Sequence, residues 1–347
     1  MIYIVKFSLF IVICTYLIRA NQFDWKTANT TVWLSSGAYC PTETYLDRTY
    51  LGYSTGFVPT NVIADEVSDT AGFIGYMKDH ASIYITLRGS VSFQNWIDDF
   101  DAIQVPFNNS KCQECFVHEG FNYAWKQVEV KVLNDVKKLR QQFPDYSIVV
   151  TGHSLGGALA SLCAIALQEA FDAEASVSNK FSLRATQKLH IIPRIRLFTF
   201  GAPRFSNAAL ATYTSQLLLD RNRITHYKDM APHCPPYMQY THISGEWYEN
   251  EAGLVGSCSG FEDPTCADQW YYTSIADHMH YLTLPLGCSS VSAGEIRSVA
   301  GFREPEELAR QERVADKVPV KVFQAAQQTK KTRIAADRGN TAVAVEA

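Results

Sequence analysis

A single serine stands between a strand-like run and a helix-like run in IVVTGHSLGGALASL, residues 148–162. The five residues from Gly152 to Gly156 have the pattern Gly-x-Ser-x-Gly, with Ser154 at the centre. A sharp strand-to-helix turn exposes such a hydroxyl at the end of a sheet, and the start of the helix favours developing negative charge. The pattern predicts a serine nucleophile. A glycine-rich connection with an incidental serine is the alternative.

A serine hydroxyl needs a base and an orienting carboxylate, which in this architecture follow it in the order acid, then histidine. Asp229, just past the strand-like run NRITHYK, is the candidate acid, whereas Asp220 precedes that run and fits less well. His278, in a terminal loop before the last apolar segment, is the candidate base. His153, beside the serine, is expected to pack. The other histidines that follow the acid remain alternatives from the residues alone: His233, His242 and His280.

The segments that must position these residues alternate between two patterns. Apolar residues at intervals of three and four predict helices, and short apolar runs predict strands. The predicted helices are 31–40, 121–143 and 207–218, and the predicted strands are 72–78, 82–89, 146–151, 194–201 and 222–228. The polar stretch 171–193 is interpreted as a surface insertion. This alternation predicts an α/β protein with a mostly parallel sheet.

The ends of the chain differ from its centre. The first twenty residues combine Lys6 with an apolar run over 7–18 and Ala20, which predicts a secretory signal peptide, 1–20. An uncleaved membrane anchor is the alternative, although the run is shorter than the ~20 residues of a spanning helix. The folded domain is predicted over 21–288. The charged, cysteine-free segment 289–347 is predicted to be a disordered tail.

Composition narrows the possible partners. The chain has 347 residues, is 47 % hydrophobic and carries a formal net charge of -4 without a basic stripe, so a nucleic-acid partner is not expected. No obligate protein partner is inferred. Two sequons, which begin at Asn29 and Asn108, predict glycans on surface loops of a secreted or luminal protein.

Eight of the nine cysteines remain after removal of the predicted signal peptide. An oxidising compartment favours disulfides, although spacing alone does not determine which cysteines pair. Cys163 is expected to be a buried free thiol. Seven cysteines then remain for pairing, and Cys234 is expected to be the one without a disulfide partner. Zinc at the CxxC pair is the alternative, and no metal is predicted. The expected disulfides are Cys40–Cys288, Cys112–Cys115 and Cys258–Cys266.

Four motifs, in this order along the chain, resemble the fungal-type class 3 lipase family: GHSLGGALASL, FTFGAPRFSN, YKDMAPHCPP and DHMHYL. The resemblance covers residues 39–288 and implies the α/β-hydrolase fold of secreted triacylglycerol hydrolases, without a metal or cofactor. By motif, Ser154 is similar to the family's nucleophile, Asp229 to its acid and His278 to its base. The resemblance therefore favours His278 over His280.

A fifth motif, LRGSVSFQNWIDDF, resembles a family segment with the pattern F-R-G-S-x-S-x-x-N-W-I-x-D. It implies that Ser90, by its backbone N–H and hydroxyl, forms the oxyanion hole with the N–H of Leu155. It also implies that residues 91–101 form a short helical lid. An ordinary amphipathic core helix is the alternative. Four apolar residues at helical spacing would form the covering face: Phe93, Trp96, Ile97 and Phe100.

The resulting hypothesis is a secreted serine ester hydrolase that acts on lipid acyl esters, at a lipid–water interface, through an acyl-enzyme. Feruloyl esterases, phospholipases and diacylglycerol lipases of the same family remain alternatives, because Ser206, Ala231 and Cys234 depart from the family's motifs. A non-catalytic lipid-binding relative and a membrane-anchored protein are alternatives from other classes.

Overall fold

The computed structural model describes residues 23–91, 102–181, 195–237 and 239–291. Its centre is an eight-stranded sheet in the order β1-β2-β3-β6-β7-β8-β9-β10, and two further strand pairs, β4–β5 and β11–β12, lie outside it. The strands are β1 (Phe57–Asp65), β2 (Thr70–Met77), β3 (Ser82–Leu87), β4 (Gln104–Pro106), β5 (Phe116–His118), β6 (Ser147–His153), β7 (Ile195–Phe200), β8 (Asp220–His226), β9 (Glu246–Glu249), β10 (Val255–Ser257), β11 (His280–Tyr281) and β12 (Leu284–Pro285).

The middle of the large sheet is parallel. Strands β3, β6, β7, β8 and β9 run in one direction, while β1, β2 and β10 are antiparallel to their neighbours. The predicted mostly parallel sheet is therefore confirmed. Because parallel strands end at the same edge, the segments that follow β3, β6, β7 and β8 meet there, where open α/β sheets bind their ligands.

Helices cover both faces of the sheet. Ile148 and Val150 of β6 join the apolar cluster beneath the helices α2 (Glu119–Gln142) and α3 (Leu155–Phe181), whereas Val149 joins the cluster beneath α1 (Trp25–Gly37). Alternate side chains of a strand point to opposite faces, so this strand is buried on both sides. The helices are α1 (Trp25–Gly37), α2 (Glu119–Gln142), α3 (Leu155–Phe181), α4 (Ala208–Leu217) and α5 (Ile275–His278).

Helix α3 is longer than its sequence pattern indicated. It continues to Phe181, so the interpretation of 171–193 as a surface insertion is wrong for its first part. The reason is packing, since Phe171 and Ala175 are buried although polar residues surround them. Among the described residues, Leu155–Ser176 alone is long and apolar enough to span a membrane by composition. Two thirds of its most apolar stretch is buried within the fold, as in a core helix.

Strand β1 was not predicted from the sequence. It pairs antiparallel with β2 at the edge of the sheet, and its register shifts between Pro59 and Asn61. Proline cannot donate a ladder hydrogen bond and is tolerated on edge strands. Most of the strand is only partly buried, so its sequence lacks the apolar run that marks the inner strands.

Helix α1 begins earlier than the predicted helix over 31–40. The carboxylate of Asp24 accepts the N–H of Thr27 at 3.1 Å, which caps the helix ahead of Trp25. Asn29 therefore lies within a helix and is only 9 % exposed, so its predicted place on a surface loop is wrong. Asn108 is exposed in the loop between β4 and β5. Glycosylation of Asn108 stays a prediction.

Among the described residues three disulfides are present, and they join the pairs expected from the sequence: Cys40–Cys288, Cys112–Cys115 and Cys258–Cys266. Cys163 is buried and free, and Cys234 is also unpaired. The CxxC sulfurs are bonded to each other, which removes the zinc alternative for that motif. Residues 289–291 form a further helical turn in which Val291 is buried, so the fold continues past the predicted boundary at 288.

Candidate active site

Ser154 occupies the turn between β6 and α3 in a left-handed backbone conformation, with φ of 58°. This region is uncommon for a residue with a side chain, and such strain concentrates at functional sites. The turn is closed tightly, because a Cβ atom on Gly156 would overlap the carbonyl oxygen of Leu87. The backbone N–H of Ser154 donates to the carbonyl oxygen of Phe200 at 2.9 Å, which links this turn to the end of β7.

The hydroxyl of Ser154 is buried, and its Oγ has no hydrogen-bond partner among the residues that the structure describes. A buried polar group without a partner costs about 1–3 kcal/mol. The fold therefore keeps this hydroxyl in an unfavourable state at a strained corner. Both features are typical of a nucleophile that is held ready for a substrate.

His278 and Asp229 form a buried pair. The imidazole Nδ1 lies 2.9 and 3.0 Å from the two carboxylate oxygens of Asp229, and each side chain is about 1 % exposed. A carboxylate only accepts hydrogen bonds, so Nδ1 carries the proton. In the neutral ring the other nitrogen, Nε2, then holds the lone pair that can accept a proton.

Asp229 is stabilised as an anion. Burial by itself would raise the pKa of this carboxyl, but His278 and three hydrogen bonds outweigh it and hold the pKa below its usual value. Besides the imidazole, the donors are the hydroxyl of Tyr281 to Oδ2 and the N–H of Ala231 to Oδ1 at 2.8 Å. The charge that orients His278 is therefore present at neutral pH.

The turn after β7 brings the serine corner and the acid–base pair together. Gly201 follows the carbonyl that binds Ser154, and a Cβ atom there would lie 3.0 Å from Nδ1 of His278 and would overlap Asp229. Gly201 also has φ of 54°, which favours glycine. The turn that binds the serine corner therefore also leaves space for the acid–base pair.

His153 links the serine corner to the backbone of His278. Its Nε2 lies 2.8 Å from the carbonyl oxygen of His278, and its Nδ1 lies 2.6 Å from the hydroxyl of Tyr39. Burial, followed by the neighbouring imidazole, holds the pKa of His153 well below its ordinary value. The neutral ring donates from Nε2 to the carbonyl and accepts from Tyr39. Sequence reasoning expected His153 only to pack, and nothing in the sequence pointed to Tyr39.

Tyr281 was also missed, although a signal for it existed. It is the tyrosine of DHMHYL, the motif from which His278 was chosen. Its ring is fully buried, and its hydroxyl donates to the acid. Tyr281 lies three positions after His278, where the chain passes from the end of α5 into β11. Both side chains therefore reach the carboxylate of Asp229.

The alternative acid and bases occupy other places. Asp220 lies at the start of β8 and pairs with Arg196 at 2.8 Å. His242 is buried and bonded to the carbonyl of Pro232 at 2.8 Å. His280 packs beside His226, with ring centroids 5.6 Å apart, and His233 ends a single helical turn, 231–233.

The two expected oxyanion donors flank Ser154 from different elements. The segment after β3 passes against the serine, since a Cβ atom on Gly89 would lie 3.0 Å from Cβ of Ser154. Ser90 is the next residue and is half-buried. Leu155 is the first residue of α3, and the first N–H groups of a helix have no partner within it. The four predicted lid residues, Phe93, Trp96, Ile97 and Phe100, lie outside the described residues.

One further cluster has the residue types of a metal site: Cys258, Asp263 and Cys266. Its two sulfurs are joined in a disulfide, and the carboxylate of Asp263 accepts hydrogen bonds from Ser259 and Thr265. A disulfide sulfur is not a thiolate, which is the form that binds metals. This cluster closes a loop and does not supply a metal ligand set.

Comparisons with known proteins agree with this geometry. Residues 84–239 match the model of the family described as lipase (class 3). The chain is similar to a lipase of Rhizomucor miehei, with 31 % identity over 229 residues that form 64 % of this chain and 57 % of that protein. It is also similar to secreted mono- and diacylglycerol lipase A of Penicillium cyclopium, with 34 % identity over 52 % of each chain. The chain thus spans little more than half the length of these relatives.

The fold matches solved structures over more of its length. One is a triacylglycerol lipase whose catalytic centre is described as a serine protease triad. It is 26 % identical, with a TM-score of 0.64, and the match covers 76 % of this chain and 96 % of that structure.

Proposed function

Because this chain belongs to the class 3 lipase family, we propose that it hydrolyses acyl esters of lipids, with triacylglycerols as the first candidate substrates. The observation that carries the proposal is the buried His278–Asp229 pair next to Ser154, whose Oγ has no partner among the described residues. The family resemblance indicates that the substrate is an ester. The side chains of Ser154, Asp229 and His278 account for the proposed chemistry.

In the proposed first half-reaction, Oγ of Ser154 attacks the ester carbonyl while Nε2 of His278 accepts the hydroxyl proton. The carbonyl becomes a tetrahedral oxyanion, and Asp229 stabilises the imidazolium. The bond between the carbonyl carbon and the alcohol oxygen then breaks. The alcohol leaves with the proton from Nε2, and the acyl group stays on Ser154.

In the second half-reaction a water molecule replaces the alcohol. His278 accepts a proton from the water as its oxygen attacks the acyl-enzyme. When the tetrahedral intermediate collapses, Ser154 leaves as the alkoxide and recovers its proton from His278. The products are a free fatty acid and the regenerated enzyme. No atom changes its oxidation state, so the proposed reaction does not require a redox cofactor.

The proposed oxyanion hole consists of the N–H and hydroxyl of Ser90 and the N–H of Leu155. Their positions on the two segments that flank Ser154 support this role. Removing one such donor costs about 2.7–4 kcal/mol of transition-state stabilisation. The segment 91–101 is proposed to cover the site in water and to turn outward at a lipid surface.

The decisive experiment compares wild type with Ser154→Ala on short-chain and long-chain esters. We expect the turnover number of the variant to fall by at least about 10³-fold, because the nucleophile is lost. Ser161→Ala is a matched control, since Ser161 is a buried serine of α3 whose hydroxyl donates to the carbonyl of Gly157 at 2.9 Å. Undiminished turnover in Ser154→Ala would overturn the proposal.

Partial glycerides are the second candidate substrates. The observation in their favour is the 34 % identity with a protein named as a secreted mono- and diacylglycerol lipase. A panel of mono-, di- and triacylglycerols, a phospholipid and a feruloyl ester separates the candidates by their kcat/KM values. A higher value for diacylglycerol than for triacylglycerol would favour this second assignment.

We also infer that the protein is secreted. Three disulfides are consistent with an oxidising compartment, and relatives are named as secreted. The predicted signal peptide, 1–20, would be removed on export. N-terminal sequencing of the protein from culture medium should begin near Asn21, and an intact leader on membrane-bound material would contradict the inference.

A further inference from the structure

An exposed aromatic segment leads directly into the proposed catalytic histidine. Residues 270–276 have the sequence WYYTSIA and contain no charged side chain; we name them the aromatic strap. Tyr271 is 52 % exposed, Tyr272 82 % and Ile275 38 %. The two tyrosine rings meet edge to face with centroids 5.7 Å apart. Contiguous exposed apolar surface of this kind marks a site of interaction.

Hydrogen bonds of Trp270 and Ser274 hold the strap in place, so the exposed tyrosines between them have a defined position. The indole N–H of Trp270 donates to the hydroxyl of Tyr248 at 2.7 Å, and its ring packs edge-on against Tyr227 at 4.8 Å. The N–H of Ser274 donates to the carbonyl of Lys228 at 2.7 Å. Ser274 also accepts the N–H of Asp277 at 3.1 Å, which begins α5.

A cation lies between the strap and the proposed catalytic acid. Nζ of Lys228 lies 4.8 Å from the ring centroid of Trp270 and 4.7 Å from that of Tyr227. Lys228 directly precedes Asp229, which forms a bridge with Ser274. The strap therefore contacts the segment of the acid through Ser274 and continues along the chain into His278, and Lys228 places a positive charge beside Trp270.

This combination identifies the chemistry of the partner. Tyrosine rings with exposed hydroxyls favour the boundary between water and hydrocarbon, where one end is apolar and the other is wet. A lysine beside them attracts anionic head groups. We propose that the aromatic strap docks the protein on a lipid–water interface, with Lys228 favouring anionic lipid. This rests on the proposed lipid substrate and adds a docking surface formed by residues other than those of the predicted lid, 91–101.

Docking through the strap would have a direct consequence for the reaction. The strap is hydrogen-bonded to the segment that carries Asp229 and continues along the chain to His278, so contact with lipid would hold this edge of the sheet towards the interface. Substrate molecules would then enter from the surface on which the protein rests. Hydrolysis of an ester dissolved in water does not require this orientation.

The test measures partition onto vesicles in a Ser154→Ala background, so that the lipid is not consumed. Vesicles contain either phosphatidylcholine alone or phosphatidylcholine mixed with phosphatidylglycerol. We expect Tyr271→Ser combined with Tyr272→Ser to lower the partition coefficient on both by about tenfold or more, because two aromatic anchors are lost. Lys228→Gln should lower it about fivefold on the anionic vesicles only.

Tyr123→Ser is the matched control, since Tyr123 is 50 % exposed on α2 and lies outside the strap. It should partition like the parent. Partition of the double variant equal to that of the parent would overturn the proposal. The proposal would also be overturned if the double variant differed from the parent only in its oligomeric state, measured by sedimentation. That result would assign the strap to contact with a second copy of this chain.

A second readout separates docking from the proposed function. In otherwise native protein, the strap variant should lower the ratio of turnover on emulsified ester to turnover on dissolved ester. An unchanged ratio would contradict docking, whatever the absolute rates. If Ser154→Ala leaves hydrolysis of the dissolved ester intact, the proposed function fails, while vesicle partition still decides whether the strap binds lipid.

Discussion

Hydrogen bonds on both sides of His278 determine the state of its ring. The Asp229 carboxylate fixes the proton on Nδ1, and the neutral ring of His153 donates to the backbone carbonyl of His278. Tyr281 adds a further donor to the acid. Because each of these groups is buried, the arrangement is little screened by solvent. It prepares Nε2 as a base without a large rearrangement.

Replacing the acid tests this account. Asp229→Asn should lower kcat by about 10⁴-fold while the fold is retained, because the amide no longer enforces the proton on Nδ1. Steady-state kinetics on a dissolved ester would measure the loss. Asp220→Asn is the matched control, since Asp220 pairs with Arg196 at the start of β8. Equal losses in the two variants would count against Asp229 as the acid.

A second buried carboxyl, Glu249, predicts a pH dependence of stability. Burial raises its pKa to about 7, although His226 and the N–H of Leu282 act in the opposite direction. Between the ordinary value of 4.5 and about 7, the folded protein keeps a proton that the unfolded chain has lost. The free energy of unfolding must therefore fall as pH rises through this window.

Glu249→Gln removes this titration. From pH 5 to pH 8 the wild type should lose up to about 3 kcal/mol relative to the variant, at 1.36 kcal/mol for each unit of pKa shift. Urea unfolding at both pH values measures the difference, and subtraction of the variant cancels the other titrating groups. Parallel pH profiles of the two proteins would contradict a raised pKa at Glu249.

At the scale of secondary-structure elements, the site depends on turns at the carboxyl ends of parallel strands. The turn after β6 presents Ser154, the turn after β7 contains Gly201, and the loop after β8 contains Asp229. Helix α5 then returns His278 to the same edge. Since these turns contact one another through backbone atoms, a small change in one displaces its neighbours.

Gly201→Ala tests the closeness of these turns. The added Cβ would overlap Asp229 and would lie 2.9 Å from the hydroxyl of Tyr281, in a backbone region that disfavours alanine. We expect kcat to fall about 10²-fold, as for a misplacement of about 1 Å. Gly256→Ala in β10 is the control, because a Cβ atom there meets nothing within 4 Å. Unchanged kinetics in Gly201→Ala would refute this close packing.

At the scale of the whole molecule, one disulfide joins the two ends of the described domain. Cys40 follows α1 and Cys288 follows β12, and they are 248 positions apart in the sequence. By contrast, Cys112 and Cys115 are three residues apart. The entropy that a cross-link removes from the unfolded chain grows with the length of the closed loop. The long-range bond should therefore contribute most to stability.

Removing the bonds separately measures this difference. In the chain-entropy estimate, Cys40→Ser with Cys288→Ser lowers the free energy of unfolding by about 5 kcal/mol, and Cys112→Ser with Cys115→Ser by about 2 kcal/mol. Denaturant unfolding of both variants gives the comparison. A larger loss for the CxxC variant would show that loop length does not govern these contributions.

Part of the fold was predictable because some segments have a clear pattern of apolar and polar residues. The inner strands are continuous apolar runs and α2 has a regular apolar face, so their existence followed from the sequence. The edge strand β1 has no such contrast because solvent covers part of it. Helix α3 extends to Phe181 because buried contacts outweigh the polar residues around Phe171. Propensity alone does not include such contacts.

The sequence by itself determined which residues are candidates for the proposed chemistry, namely the serine of Gly-x-Ser-x-Gly, an acid after a late strand and a histidine near the end of the domain. These choices depend on local pattern and order along the chain. Only the tertiary structure decided how Tyr39, His153 and Tyr281 support the ring of His278, and where Trp270 and Lys228 place the aromatic strap. These contacts join segments far apart in sequence, so they form only when packing brings the ends of the strands together.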